Sequence, residues 1–173
     1  EYSVTVKKQI SSIKDFANIK EVLFGFSANT QTPIKDAVVV MSIDGPDGKS
    51  IEWIGKEIAI KPGSWQQLEF SFEVNSDKIN KDANIKLYVW DKASEDFFID
   101  DLRVIVNGLV SSRMLSSGYI PERNIEYDFE VPLEGESNEF YSDKNAHSGK
   151  FSFLLNSAAA YSPSVTKKVS EII

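Results

Sequence analysis

The chain has 173 residues, 42% of them hydrophobic and 12% aromatic, enough for a sizeable core and against general disorder. It holds no cysteine and one histidine, which excludes disulfide scaffolds, thiolate zinc sites, thiol catalysis and His-cluster metal sites. The 19 basic and 26 acidic side chains give a net charge of -7, spread evenly along the chain, which argues against a nucleic-acid surface.

The dominant pattern is period-two alternation of β-branched and aromatic residues, which predicts strands. The first falls on residues 2–6, the next two on 21–27 and 36–43. A turn at 44–48 leads into 50–60, where Ile51, Trp53, Ile58 and Ile60 are apolar. Lys61-Pro-Gly-Ser64 is a second turn, since Pro62 presets φ and Gly63 tolerates a positive one. Residues 65–74 alternate cleanly, with Leu68, Phe70, Phe72 and Val74 on one face. Segments 84–90 and 97–106 complete seven strand candidates, and no amphipathic helix of ten or more residues is present. Alternation stops over 107–124, a Ser-rich connector, and resumes at 125–130, 149–155 and from Tyr161 onward. Strands separated by polar turns predict an all-β antiparallel jelly-roll sandwich or barrel. The expected organisation is a main sandwich over 1–109, a linker over 110–124 and further strands over 125–173.

The two ends are alike. Residues 2–13 align without a gap to 161–172, with six identities in twelve positions, among them Tyr2/Tyr161, Val6/Val165 and Lys8/Lys167. A repeated module cut out of phase, or chance likeness in a short β segment, accounts equally for the match.

Asp128-Phe-Glu130, then Ser148-Gly-Lys-Phe-Ser152, then Tyr161-Ser resemble the opening of a jelly-roll carbohydrate-binding, galactose-binding-like module. Trp65 before its alternating strand, Ile85-Lys-Leu-Tyr-Val-Trp90 and Phe98-Ile-Asp-Asp-Leu102 resemble the closing half of the same module. The closing half comes first here, which leaves a permutation, a fragment spanning a module boundary, or strand exchange between copies. The resemblance implies a structural calcium, held by the side chains of Glu130 and Asp100 with carbonyls near Lys150 and Asp143. Calcium takes six to eight hard oxygens and accepts carbonyls readily. Against this stands the plainer reading of Asp100 and Asp101 as a solvated edge pair and Glu130 as a surface carboxylate. Alternation puts Asp100 on the face of Phe98, Leu102 and Val104, where burial would require a partner.

Sugar recognition on such folds uses exposed aromatics, and the candidates are Trp53, Tyr88, Trp90 and, with core packing the stronger reading, Trp65. Tyr88 and Trp90 share one strand face, opposite Leu87 and Val89. Trp53, among Glu52, Gly55 and Lys56, is the aromatic expected to be exposed, although a single exposed Trp also suits an interdomain contact. Trp65 is expected in the core. His147, in a polar loop, reads as a solvated residue. Asp100 and Asp101, as strand neighbours, should point to opposite faces and form no glycosidase pair. Glu69 and Glu73 read as solvent-facing edge charges.

No catalytic constellation emerges. No apolar run approaches the roughly 18 residues that span a bilayer, so direct membrane insertion is not expected. Residues 1–8 show no leader pattern. The expectation is a non-enzymatic, carbohydrate-binding-like module of a larger exported bacterial protein, extracellular, cell-surface or periplasmic. Its expected partners are a glycan and neighbouring modules, with no nucleic acid. The alternative is a purely structural or protein-interaction spacer that binds no glycan.

Overall fold

The computed structural model describes residues 6–9, 19–75, 82–108, 124–131 and 140–159. The proposed terminal repeat lies outside them except for residues 6–9, as does the strand expected from Tyr161. The described residues form ten strands: β1 (Val6–Gln9), β2 (Ile19–Thr30), β3 (Ala37–Asp44), β4 (Ser50–Glu57), β5 (Gln66–Glu73), β6 (Asn84–Asp91), β7 (Phe97–Gly108), β8 (Asn124–Tyr127), β9 (Tyr141–Ser142) and β10 (Ser152–Leu155). The short β9 has no counterpart among the expected strands, because two residues are too few to show alternation.

The strands form two antiparallel sheets, one in the order β1-β6-β3-β4 and the other β5-β2-β7-β10-β9, with β8 also on β7. Between β2 and β7 the chain crosses from sheet to sheet at four of its five connections, the layered crossing of a jelly-roll sandwich. The free edge of β7 is shared: β10 pairs with residues 97–99 and β8 with 102–105. The described residues of 124–159 therefore complete the same sheet as β2, β5 and β7.

Alternation explains which side chains meet between the sheets. Val39, Met41, Ile43, Ile85, Leu87 and Val89 come from one sheet, and Val22, Phe24, Phe26, Phe72 and Val104 from the other, in one continuous core. Leu68 and Phe70 pack against it from β5, on the face the alternation predicted. The same parity puts Trp65 outward, so it is half-buried beside His147, with ring centroids 5.4 Å apart, instead of in the core.

In β7 the parity changes midway. Phe97 and Ile99 point inward before Asp100, and Leu102, Val104 and Val106 point inward after it. The cause is a β-bulge: Gly25 pairs with Arg103 and Ser27 with Asp100, so two residues of β7 oppose Phe26. Asp101 takes the left-handed conformation there, with φ 49°. Asp100 consequently shares a face with Phe98 but not, as alternation alone implied, with Leu102 and Val104.

Candidate functional site

Two regions gather the residues singled out by sequence, one on the outer face of each sheet.

The first is the outer face of the four-stranded sheet. Tyr88 pairs with Val40 and Trp90 with Val38, while Trp53 pairs with Ser42 and Gly55 with Val40. Since Leu87, Val89, Val39 and Met41 enter the core, Trp53, Tyr88 and Trp90 all lie on the opposite, outward side. Trp53 is 50% exposed, and its indole Nε1–H donates to the Tyr88 hydroxyl at 3.2 Å. Val38 and Val40 are buried although neither belongs to the inter-sheet core, so the outer side chains roof them. Lys92 sits 6.0 Å from the Trp90 ring centroid and pairs with Asp36, and Lys86 pairs with Asp44. The face is an apolar, aromatic patch bordered by balanced charge.

The second region lies over the bulge of β7. Asp100 is wholly buried, and its Oδ2 accepts the backbone N–H groups of His147 at 2.8 Å and Ser148 at 3.1 Å. Its Oδ1 accepts the N–H of Asp101 at 2.8 Å. Burial pushes the Asp100 carboxyl above the ordinary carboxylate range, opposed by these three N–H groups. Glu130 Oε1 accepts the N–H groups of Lys150 at 2.7 Å and Phe151 at 2.8 Å. The two carboxylates thus grip one loop by four amides, two on either side of Gly149. Gly149 has φ 57°, and a Cβ there would stand 2.3 Å from Glu130 Oε1, so only glycine fits.

The Phe-Glu pair is what aims Glu130 at this loop. Asp128 Oδ1 accepts the N–H of Glu130 at 3.1 Å, an Asx turn that reverses the chain. Phe129, at φ 59°, is thereby driven fully into the core among Tyr127, Tyr141 and Phe153. Neither Asp100 nor Glu130 is a free surface carboxylate.

The bulge also brings Asp101 onto the same loop, contrary to the expectation that adjacent strand residues part. Asp101 Oδ1 accepts from the Ser148 hydroxyl at 2.5 Å, and Oδ2 meets His147 Nδ1 at 2.5 Å. His147 is therefore paired and packed on Trp65 rather than simply solvated. A Ser-His-Asp relay needs the serine to donate to the imidazole. Here the serine and the imidazole both address the carboxylate, so no activated nucleophile results.

The calcium expected from the resemblance can be tested on these oxygens. A calcium cage needs oxygens turned toward a common centre. Both oxygens of Asp100 and Oε1 of Glu130 are turned toward N–H donors instead. Among the described residues no three His, Asp or Glu side chains converge. Asp143 is exposed and lines a separate groove with Phe98, Tyr141 and Leu154, and Lys150 contributes its N–H to Glu130. The donor set at Asp100 does not fit calcium.

Sequence reading located the three aromatics, Asp100 and Glu130, but missed Asp101 and Ser148. The available signal was the parity switch between Phe97-Phe98-Ile99 and Leu102-Arg-Val104, which places a bulge at Asp100-Asp101.

No protein-family model matches this chain, and no match is found among curated proteins.

Proposed function

We propose that this chain is a non-catalytic, carbohydrate-binding-like module of a larger exported bacterial protein, and that the outer face of its four-stranded sheet receives a glycan. One observation carries the reading: Trp53, Tyr88 and Trp90, from two separate strands, lie on a single outward face. Rings bordered by hydroxyl, amide and charged groups offer both parts of sugar recognition, apolar contact for ring C–H groups and hydrogen bonds for hydroxyls. Acid–base work is not required of any residue in this reading.

The test is calorimetric titration of the protein with a panel of soluble oligosaccharides, alongside Trp53→Ala. Binding by the wild type, lost in the variant at unchanged melting temperature, supports the reading. A wild type that binds none of the panel defeats it.

A second reading is supported by Ile51, which is 45% exposed on β4, the strand that also carries Trp53. An exposed aliphatic beside an indole suits contact with a neighbouring protein module, and the face would then be a spacer interface. Concentration-dependent self-association or binding of an adjacent module, abolished by Ile51→Lys, would favour it.

A further inference from the structure

The indole of Trp53 owes its position to a side chain that is missing. Trp53 and Gly55 are two residues apart on β4 and so share a face. A Cβ built on Gly55 would stand 2.7 Å from Trp53 Cη2 and 3.0 Å from Cζ3. Real carbon atoms do not approach so closely, so the six-membered ring lies directly on the bare backbone of Gly55. At the other edge of the indole, Nε1–H donates to the Tyr88 hydroxyl at 3.2 Å. Tyr88 on β6 and Gly55 on β4 both pair with Val40 of β3, so the contacts that hold the ring come from opposite sides of one central residue. Val40 is fully buried on this outward side. The ring is held from below and at its edge, while Trp53 remains half exposed.

We propose that Gly55 and Tyr88 hold the Trp53 indole against the sheet as a preformed stacking platform for the neutral pyranose units of a glycan. This rests on the glycan reading of the face and specifies its ligand. A pyranose with equatorial hydroxyls directs its polar groups around its rim and its C–H groups above and below. Its flat side therefore matches the electron-rich face of an indole. A ring already fixed loses little rotamer entropy when the ligand arrives, which favours affinity. The neutrality of the ligand follows from the border. Lys86 is matched by Asp44 and Lys92 by Asp36, and Glu57 lies in register with Val38. Lys7 in turn lies in register with Lys86, so cations and carboxylates on this border balance and a uronate or sulfate would find no net positive charge.

Gly55 is a positioning residue, since it acts through Trp53. In Gly55→Ala the group that must move is the indole itself, because the new methyl strikes the far end of that side chain. Gly55 is exposed on an edge strand, where alanine is tolerated by the backbone. The experiment titrates wild type, Gly55→Ala and Tyr88→Phe with cellohexaose, xylohexaose and polygalacturonate. In parallel, NMR follows the contact between the Trp53 ring protons and the Gly55 α-protons. The expected result is binding of a neutral hexasaccharide, weakened about tenfold in Gly55→Ala and about threefold in Tyr88→Phe. Melting temperatures should be unchanged, and the Trp53 ring should lose its backbone contact in Gly55→Ala. If Gly55→Ala binds like wild type, the platform is overturned while the glycan reading stands. A preference for polygalacturonate overturns the neutral ligand class. A wild type that binds neither hexasaccharide nor polygalacturonate defeats the glycan reading itself, and an intact ring contact in NMR would then identify that as the failure.

Discussion

The outer faces of the two sheets obey the same alternation and end in opposite conditions. On the four-stranded sheet the outward residues of β4 meet solvent, those of β6 are half-buried, and large rings roof two valines of β3. On the six-stranded sheet the loop around residues 147–151 covers the outward side of the β7 bulge and buries Asp100 completely. The difference teaches where polar chemistry is obligatory. A carboxylate removed from water needs donors, and backbone amides supply them over the bulge. An aromatic ring left at the surface needs none beyond its one N–H, and its face remains available. The covered face should therefore govern stability and the open face binding.

The contrast is sharpest at Phe129, which anchors the covered region to the core. Phe129→Ala should cost about 3–5 kcal/mol of unfolding free energy in denaturant titrations, because it empties a fully buried aromatic site. A loss below about 1 kcal/mol would mean that the covered region contributes little to the fold.

Asp100→Ala should cost about 2–3 kcal/mol, since buried amides lose their acceptor. Glu130→Ala should cost about 1 kcal/mol by releasing two amides, and Gly149→Ala about 2 kcal/mol, because strain at positive φ adds to displacement of the Glu130 carboxylate. A chelator should leave the melting temperature of the wild type unchanged, because these carboxylates bind N–H groups. A drop of several degrees would show that an ion takes part after all.

Acidity offers a finer probe of the same region. Burial raises the Asp100 carboxyl, so the folded chain holds its proton more tightly than the unfolded chain. Stability from this group is greatest at low pH and declines as pH rises from the ordinary carboxylate range through the raised value. The stability of wild type minus that of Asp100→Asn should therefore fall as pH increases over that window. A difference that rises with pH would reverse the assigned cause.

The smallest effect on stability belongs to the open face. Trp53→Ala should change unfolding free energy by no more than about 0.5 kcal/mol, although it should abolish glycan binding. A loss of several kcal/mol would show that the roof over Val40 is structural, and would erase the division between the faces.

The residue pattern alone determined the all-β class and the strands β2 to β7, because period-two alternation is a local property that each segment carries by itself. It also determined that Tyr88 and Trp90 share a side opposite Leu87 and Val89, which is parity within one strand. Tertiary structure decided what parity could not. It brought Trp53 from a different strand onto the Tyr88 face, and it set Gly55 beneath the indole. At the bulge that the parity switch within 97–104 marks, it turned two adjacent carboxylates onto one loop. It paired His147 with Asp101 and packed it beside Trp65. Each of these depends on register between distant segments, and register is settled by the joint packing of both sheets rather than by any one strand.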